Sequence, residues 1–460
     1  MTKPSLKLVF SPVIGIRNFL SLTFTIIICG TIIQSCKGTQ EKSKKTDEET
    51  DAFIKVLDNR FVLKGKPYYF LGANFWIGMN LGSSGDGGNR ERLIRELDRL
   101  QKLGITNLRI MALSEGPDTE PYRMVPSSQP SPGIFNEQVL EGLDFLLAEM
   151  AKRKMYAVVC LTNFWPWSGG MSQYISWATN EPIPYPMAPN GDWDKFQKYT
   201  ARFYSMPKAK EMYKNAITTI INRVNKFTNK PYTNDPTIMA WELCNEPRGL
   251  NNIQDYLSWI DSTSTYIKSI DTNHLVTIGS EGYTAYRDYA GVEFDKAHAF
   301  KNIDYTCAHI WIQNWEWYDP KKHEKTFENA KQKALSYLRE HATISKKLGK
   351  PFVLEEFGIM RDNGSYEVKA STQNRDLYYT IIFEEVYKLA LDSSKASGVA
   401  FWAWAGEGRP RVPKCWWKPG DDFTGDPPHE EQGWYSVYDI DTSTHRVIAN
   451  FASKFNELGI

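Results

Sequence analysis

Short apolar runs alternate with longer segments of helical periodicity from residue 53 to the end of the chain. Eight such runs can be counted, at residues 68–76, 107–113, 156–165, 238–247, 274–282, 304–311, 351–358 and 398–406. Short apolar runs bounded by turn residues predict buried strands, and strands that alternate with helices predict a parallel sheet. Eight strand–helix units indicate an α/β fold, a (β/α)8 TIM barrel. A doubly wound sheet usually has fewer strands and a phosphate-binding loop near its start, and no G-x-G-x-x-G follows the first run.

The helices between the runs are predicted from apolar residues spaced three and four apart. Residues 93–103 carry such a stripe, and Gly104 follows as a C-terminal cap. The same spacing predicts helices over 139–150 and 447–458. Turn residues within 53–67 predict a short N-terminal β-hairpin that closes the floor of the barrel. We find no internal repeat and predict a single domain over residues 53–460.

The first 35 residues have the features of an export signal. Basic residues precede an apolar run at 19–33, which is short for a membrane span, and Ser35 is a small residue suited to cleavage. Cys36 follows directly, as in the lipobox of bacterial lipoproteins. We therefore expect residues 1–35 to be a lipoprotein signal peptide and Cys36 to be the lipidation site, which places the protein on an outer-membrane or periplasmic face. Ordinary secretion is the alternative, and residues 36–52 are expected to form a flexible polar tether.

The composition of the chain limits the kinds of molecule that it is expected to bind. The chain is 42% hydrophobic and 24% charged with a formal net charge of +1, and its basic residues are not clustered. We therefore expect no nucleic-acid partner, and contact with a membrane only through the lipid anchor. Cys160, Cys244 and Cys307 lie in apolar runs without a metal-ligand spacing, so buried free thiols are expected. We predict no metal, no cofactor and a monomer.

Polar and aromatic residues gather where the predicted strands end, which is where (β/α)8 barrels carry their active sites. From the second strand to the eighth these residues are Arg109; Asn163, Trp165 and Trp167; Asn245 and Glu246; Glu281; His309 and Trp311; Glu355 and Glu356; Trp402 and Trp404. Of the 15 tryptophans, eight lie at or just beyond strand ends: Trp76, Trp165, Trp167, Trp311, Trp315, Trp317, Trp402 and Trp404. This local excess favours a stacking site, for sugars or bases, over a generic core.

Glu246 and Glu356 follow strands that face each other across the barrel. The sequence has no metal motif, cofactor loop or nucleophilic Ser or Cys elbow. Two facing carboxylates suit glycoside hydrolysis, in which one carboxylic acid protonates the leaving oxygen and the other carboxylate attacks the anomeric carbon. The alternative is a buried ion pair with Arg109 or Arg248. Because both carboxylates occur at the expected strand ends, we favour catalysis.

The motifs N-E-P-R (245–248), L-E-E-F-G (354–358) and F-W-A-W (401–404) resemble those of glycoside hydrolase family 5. The resemblance covers essentially residues 53–460 and is strongest to the β-1,4-mannanase subgroup. It implies a retaining, endo-acting hydrolase of β-1,4-mannosidic linkages in mannan, glucomannan or galactomannan. Other activities of the family, an endo-β-1,4-glucanase or an exo-β-mannosidase, stay open. A non-catalytic glycan-binding lipoprotein is less favoured, because such proteins generally lose one carboxylate.

Position by position, the resemblance implies that Glu246 is the acid/base and Glu356 the nucleophile. The expected substrate-binding residues are Arg109, Asn163, Asn245, Arg248, His309, Trp311 and Trp402. Among them, Asn245 would hold the sugar 2-hydroxyl, Arg248 would serve the leaving-group side, and Trp402 would lie under the sugar to be cleaved. Trp311 stands where many relatives carry a tyrosine, and it cannot supply that hydroxyl.

Further expectations concern side-chain direction, protonation and loops. Strand alternation predicts that only one of Glu355 and Glu356 points inward. Glu246 is expected to hold a proton near neutral pH, its pKa raised by its surroundings and by the anion of Glu356. The long polar loops 114–134 and 168–208 could wall an open cleft or block one end. Trp416 and Trp417, on a proline-rich loop, are either surface stacking residues or a loop core.

Overall fold

Three short antiparallel strands come first in the computed structural model, which describes residues 52–392 and 396–459. They are β1 (Lys55–Leu57), β2 (Arg60–Leu63) and β3 (Lys66–Pro67). The predicted signal peptide, Cys36 and nearly all of the tether lie outside the described residues. Ile54 and Phe61 pack against Phe70, Met239 and Tyr305 inside the barrel. The N-terminal hairpin therefore closes the barrel floor, as its turn residues predicted.

Eight parallel strands follow and form the barrel. They are β4 (Phe70–Asn74), β5 (Asn107–Met111), β6 (Tyr156–Cys160), β7 (Ile238–Glu242), β8 (Leu275–Thr277), β9 (Thr306–Ile310), β10 (Phe352–Phe357) and β11 (Ala396–Phe401). The hydrogen-bonded order is β8-β7-β6-β5-β4-β11-β10-β9. At the remaining junction the amide of Asp304 donates to the carbonyl of Val276 at 2.8 Å. Seven of the predicted apolar runs each contain one whole barrel strand. The eighth run, 398–406, contains all of β11 except the first two residues of the strand. The predicted (β/α)8 barrel is therefore confirmed.

Helices surround the strands and match the predicted stripes. Their bounds are Gly78–Gly82, Arg90–Lys102, Glu137–Lys152, Gly170–Thr179, Trp193–Ala201, Pro207–Ile221, Ile253–Ile270, Arg287–Ala290, Phe294–His298, His323–Leu348, Gln373–Leu391 and Thr442–Glu457. The side chain of Asn89 accepts from Arg92 N, and the side chain of Asn136 accepts from the first-turn amides of its own helix. Asparagine caps satisfy amides that have no partner within a helix. No helix in the described ranges combines the length and apolar character needed to cross a bilayer.

Two further strands, β12 (Trp404–Gly406) and β13 (Val437–Tyr438), pair beyond β11. Their pairing fixes both ends of the segment between them, the loop 407–436. Trp404 is buried, and its indole N–H donates to Glu96 at 3.0 Å, on the helix Arg90–Lys102. Trp404 therefore packs the structure outside the barrel mouth, whereas Trp402 lines the cavity described below.

A bulge in β10 changes one expectation about side-chain direction. Against β9, Leu354 pairs with Ala308 but Glu356 pairs with His309, so one residue is extra. Glu355 accepts a hydrogen bond from the hydroxyl of Tyr305 at 3.0 Å, within the inner core. Glu356 also faces the barrel interior, at the mouth. The prediction that only one of the two glutamates points inward is wrong, because a bulge interrupts the alternation on which it relied.

Candidate active site

Glu246 and Glu356 line one cavity of about 910 Å³ at the C-terminal ends of the barrel strands. His309 lies between them, with Nδ1 2.6 Å from Glu246 Oε1 and 3.4 Å from Glu356 Oε2. One oxygen of each carboxylate and one nitrogen of His309 all lie within 4.8 Å of one another. A retaining mechanism places its carboxylates about 5 to 5.5 Å apart, whereas an inverting mechanism needs about 6.5 to 9.5 Å. The geometry fits retention.

The backbone of Glu246 is held by the strands on both sides. Asn245 forms a parallel bridge with Asn163, so the pairing of β7 with β6 resumes beyond the strand ends. On the other side the amide of Glu246 donates to the carbonyl of Gly279 at 2.8 Å. Glu246 adopts the left-handed conformation, with φ of 52°. A non-glycine residue there costs about 1 to 2 kcal/mol, which the surrounding hydrogen bonds must offset.

Two tryptophans and a histidine surround the carboxylate of Glu246. The indole N–H of Trp165 donates to Oε2 at 2.5 Å, and that of Trp311 donates to Oε1 at 3.2 Å. Trp311 was expected to bind substrate. It lines the cavity, but its one polar group is directed to Glu246, so it also fixes the position of this carboxylate. Trp165 was recognised only as a strand-end residue, and its bond to Glu246 was not foreseen.

Arg109 lies beneath Glu356 and joins it to a second buried glutamate. One terminal nitrogen donates to Glu356 and, at 3.0 Å, to Asn74. The other donates to Asn245 at 2.7 Å and to Glu242 at 2.6 Å, and Nε donates to Glu242 at 2.7 Å. With its donors occupied, Arg109 positions Glu356 and Asn245 and does not reach for substrate. Glu242 was not among the predicted site residues, although a charged residue within the apolar run 238–247 could have indicated it.

The two asparagines have different positions. Asn245 lines the cavity, and its Nδ2 donates to Asn163 Oδ1 at 3.1 Å. Asn163 is fully buried and does not line the cavity. Asn245 is thus placed to meet a sugar hydroxyl, whereas Asn163 holds Asn245 and, through the backbone amide of Trp165, the start of the next loop.

Arg248 lines the cavity but is already paired. Its Nε lies 2.5 Å and one terminal nitrogen 2.7 Å from the two carboxylate oxygens of Glu281, and the other terminal nitrogen donates to Gln197 at 2.8 Å. The guanidinium also stacks on the ring of Trp165, 4.8 Å from its centroid. Arg248 and Glu281 are only 8% and 2% exposed. The ion pair is therefore bidentate and buried. The guanidinium also supports the indole of Trp165, whose N–H donates to Glu246.

Tryptophans dominate the cavity wall. Those that line it are Trp165, Trp167, Trp193, Trp311, Trp315, Trp402, Trp416 and Trp434. Trp402 meets Trp167 and Trp311 edge to face, at 6.2 and 6.0 Å between ring centroids. The two tryptophans on the proline-rich loop differ: Trp416 is 44% exposed at the rim, and Trp417 is buried and stacked on Phe423. The one is a surface aromatic and the other a loop core.

The protonation of the three central groups differs from the expectation. Burial raises the pKa of Glu246, but His309, Arg248 and the Trp165 N–H outweigh it, and the pKa falls to about 2. Burial raises the pKa of Glu356 to about 7, with the anions of Glu246 and Glu242 adding to the effect. Burial lowers the pKa of His309, but the neighbouring carboxylates, Glu356 first, raise it to about 10. The prediction that Glu246 holds the proton is wrong in this geometry, because His309 holds it one hydrogen bond away.

Glu246, His309 and Glu356 are also the group of described residues with metal-ligand spacing. The carboxylate of Glu356 already accepts a hydrogen bond from Arg109, and that of Glu246 accepts from Trp165 and Trp311. An ion would have to compete with a buried guanidinium for Glu356 and with two indoles for Glu246. The donor set therefore suits proton exchange between the two carboxylates better than it suits metal binding.

Three long loops meet beside the cavity. Trp193, the first residue of the helix Trp193–Ala201 in the segment after β6, packs on Trp165. It also contacts His429, in the loop after β11, with 6.3 Å between the rings. Tyr122, in the loop after β5, contacts Tyr185 at 5.9 Å and Trp416 at 6.0 Å. The loops 114–134 and 168–208 were predicted to border the site, and the loop 407–436 was not. That loop contacts the segments after β5 and β6, so the cavity is bordered there by joined loops.

Comparisons with known proteins agree with this geometry. A family model described as "GH family 5 beta-mannosidase-like" matches residues 51–459. A mannan endo-1,4-beta-mannosidase of Arabidopsis thaliana is 30% identical over 402 residues, which is 84% of either chain. The crystal structure of a family 5 mannosidase from Rhizomucor miehei is 40% identical with a TM-score of 0.82, over 89% of this chain and 99% of the other.

An endo-beta-1,4-mannanase structure from Thermotoga petrophila is 26% identical with a TM-score of 0.64, over 85% of this chain and 78% of the other. A variant of the Rhizomucor miehei mannosidase has been solved in complex with mannosyl-fructose. The family model covers nearly the whole described chain, and the barrel, the two carboxylates and the tryptophan-lined cavity are what its chemistry requires. The chain belongs to glycoside hydrolase family 5, in its β-mannosidase-like branch.

Proposed function

We propose that this chain hydrolyses internal β-1,4-mannosidic linkages of mannan-type polysaccharides with retention of configuration. The observation that carries the proposal is the carboxylate pair, Glu246 and Glu356, with its nearest oxygens within 4.8 Å at the base of a tryptophan-lined cavity. The support for mannose comes from the relatives: the Arabidopsis thaliana protein is named a mannan endo-1,4-beta-mannosidase, and the 40% identical structure a mannosidase.

The first step forms a covalent intermediate. Glu356, held by Arg109, attacks the anomeric carbon as the bond to the leaving oxygen breaks. Glu246 gives that oxygen a proton, which it draws from His309 Nδ1 at 2.6 Å. In the second step Glu246 takes a proton from water, and the resulting hydroxide attacks the anomeric carbon and releases Glu356. Two inversions at one carbon give net retention.

Release of terminal mannose is the second candidate, and two observations favour it. The solved structure with 40% identity is described as a mannosidase rather than a mannanase. In addition, the contact between Trp193 and His429 joins the segments that follow β6 and β11 beside the cavity, which narrows the path of a long polymer. An endo-glucanase has no such support from the relatives named above.

Product analysis separates these activities. We expect the purified chain to cleave mannan and glucomannan but not cellulose or xylan, with an early fall in viscosity and oligosaccharides of several lengths. Early release of mannose alone, with unchanged viscosity, would replace the endo assignment by the terminal one. No hydrolysis of any β-mannoside would reject the proposed function.

We further propose that the protein is exported as a lipoprotein anchored through Cys36, on the basis of the signal-like segment that precedes it. The expected result is a diacylglyceryl-modified mature chain that begins at Cys36, detected by mass spectrometry in the membrane fraction. A Cys36→Ala variant should move to the soluble fraction. An unmodified mature chain, or a Cys36→Ala variant that stays with the membrane, would contradict the anchor.

A further inference from the structure

The two ring nitrogens of His309 face different carboxylates. Nδ1 lies 2.6 Å from Glu246 and 3.4 Å from Glu356, the two residues that line the cavity. Nε2 is buried, has no hydrogen-bond partner within the described residues, and lies 3.9 Å from Glu355 Oε2. That oxygen is also buried and without a partner there. Buried polar atoms are nearly always hydrogen-bonded in folded proteins, so a nitrogen and an oxygen left facing each other require an explanation.

The bulge in β10 brings Glu355 to this position. In the pairing of β10 with β9 the register shifts between Leu354 and Glu356, so Glu355 is the extra residue of the bulge. In a regular strand, neighbouring side chains point to opposite faces. With the bulge, two consecutive glutamates reach the two nitrogens of one imidazole, that of His309. Bulges occur next to active sites because they re-aim a side chain, and here that side chain is a carboxylate.

Glu355 is a buried carboxylate that needs a counter-charge. Its side chain is 2% exposed, and its Oε1 accepts from the hydroxyl of Tyr305 at 3.0 Å. Among the described residues, His309 is the cationic group within 4.0 Å of it. Burial raises the pKa of Glu355, but the contact with His309 and the charge of Arg109 outweigh it, so the pKa lies below its ordinary value. Glu355 is therefore an anion beside the imidazole, as a buried charge requires a partner.

Charged groups from several strands surround His309. Burial lowers the pKa of His309, but Glu356 first, and then Glu246 and Glu355, raise it to about 10. The imidazole therefore carries a proton on both nitrogens at neutral pH, and each proton faces a carboxylate. The other titratable groups close by are Glu281 beyond β8, Cys307 on β9, whose pKa is raised by burial, Arg109 on β5, which contacts Glu356, and Glu242 on β7, which contacts Arg109.

From this arrangement we infer that Glu355 is a positioning residue, whose carboxylate faces the Nε2 proton of His309 and so keeps Nδ1 charged and directed to Glu246. The inference rests on the proposed function, because it adds a residue to the same reaction. Glu355 does not line the cavity, so it acts on the substrate only through His309. A carboxylate behind a catalytic histidine fixes the ring and stabilises its charged form. The distance of 3.9 Å is longer than a hydrogen bond, and such contacts often tighten when substrate binds.

The kinetic test is the alkaline limb of kcat/KM on a mannooligosaccharide, whose leaving sugar needs a proton. Loss of an anion beside an imidazolium favours the neutral ring, so Glu355→Gln should move this limb from about 10 downward by about 1 pH unit or more. At the optimum, kcat/KM should fall by less than about 10-fold, because both reacting carboxylates remain. Glu355→Asp keeps the anion and should reverse most of the shift. An alkaline limb that stays near 10 in Glu355→Gln would overturn the inference.

The matched control is Glu115→Gln, which removes another fully buried glutamate just beyond a barrel strand. The two oxygens of Glu115 accept from Thr162 and from the amide of Gly170, at 2.8 and 2.9 Å, and neither contact involves His309. This variant should keep the alkaline limb of the intact chain. An equal shift in Glu115→Gln and Glu355→Gln would assign the effect to the loss of any buried charge, and would also overturn the pairing.

An NMR titration observes the imidazole directly and does not depend on activity. The histidines are labelled with ¹⁵N, and the signals of His309 are those that disappear in His309→Asn. In the intact chain we expect a proton on both ring nitrogens at about pH 8, and in Glu355→Gln its loss at lower pH. An unprotonated Nε2 in the intact chain at this pH would refute the inference without recourse to a Glu355 variant. Inactivity on every β-mannoside, with the titration as expected, would reject the proposed function and still support the pairing of Glu355 with His309.

Discussion

The Nδ1 atom of His309 lies 2.6 Å from Glu246 Oε1, and the same atom is 3.4 Å from Glu356 Oε2. One imidazole thus faces both carboxylates and is buried with them. Burial raises the pKa of Glu246, but the hydrogen bond and charge of His309, together with Arg248 and the Trp165 N–H, lower it to about 2. Burial lowers the pKa of His309, but the carboxylates raise it to about 10. The proton needed by the leaving group is therefore stored on the histidine and shared with Glu246 through a short hydrogen bond.

This arrangement predicts the pH dependence of kcat/KM. Glu356 must be ionised to attack, and burial raises its pKa to about 7, so activity should rise as pH increases through about 7. The His309–Glu246 pair must hold a proton, and the pKa of His309 is raised to about 10, so activity should fall as pH passes about 10. The check is kcat/KM on an aryl β-mannoside across this range, since this parameter reports the free enzyme.

The control for the pH profile is His309→Asn. Without the imidazole, Glu246 alone must hold the proton, and its ordinary carboxylic pKa lies far below 10. The alkaline limb should move to lower pH, and kcat/KM at the optimum should fall by about 100-fold or more. An alkaline limb that stays near 10 in this variant would show that another group controls it.

The roles of the two carboxylates have separate kinetic signatures. Glu356→Ala removes the nucleophile, and activity on every substrate should fall by about 10⁴-fold or more. Glu246→Ala removes the proton donor, which an activated aryl leaving group does not need. This variant should still form the glycosyl-enzyme on Glu356, accumulate it, and turn over faster with azide. Equal loss in both variants on the activated substrate would contradict the assignment, as would azide rescue of Glu356→Ala to the same β-product.

The barrel was predictable because its signal repeats: apolar runs of strand length recur eight times between helical stripes, and each run covers several residues. Glu246 and Glu356 were predictable because their motifs fall at the ends of two such runs. The direction of Glu355 was not, because it depends on a one-residue bulge that leaves no mark on periodicity. The raised pKa of His309 could not be predicted either, because it depends on distances between side chains from three strands, and sequence spacing does not determine these distances.

Three residues of the loop after β11 were not predicted for a related reason. His429, Glu430 and Trp434 line the cavity with buried polar atoms that have no hydrogen-bond partner within the described residues, and a loop without periodic pattern predicts no such environment. Glu242 was overlooked because it sits inside an apolar run. A charged residue at such a position requires a buried counter-charge, and Arg109 provides it.

Glu355 provides the test of which inward-facing glutamate is the nucleophile. Its Oε1 accepts from Tyr305 at 3.0 Å, and the residue does not line the cavity. Glu355→Gln keeps an acceptor for this hydroxyl, so kcat/KM should stay within about 10-fold of the intact chain. A collapse of activity in Glu355→Gln, with Glu356→Ala still active, would move the nucleophile by one residue.

The ion pair of Arg248 and Glu281 has a structural role that unfolding can measure. Both side chains are buried and joined at 2.5 and 2.7 Å, so removal of either partner alone leaves a buried charge uncompensated. We expect Arg248→Met to lower the free energy of unfolding by about 3 to 5 kcal/mol, and the double variant Arg248→Met with Glu281→Met to recover most of that loss. Denaturant unfolding measures both.

The kinetics of a variant at Arg248 then test whether this residue binds substrate. Arg248→Lys keeps the charge but loses the fork, since an ammonium group cannot bind both oxygens of Glu281 in parallel. If Arg248 serves the leaving-group side, as the family resemblance implies, the variant should lose more kcat/KM on short mannooligosaccharides than on polymer, because short substrates have fewer other contacts. Equal losses on both would show that Arg248 acts through Glu281 and Trp165, holding the indole that binds Glu246.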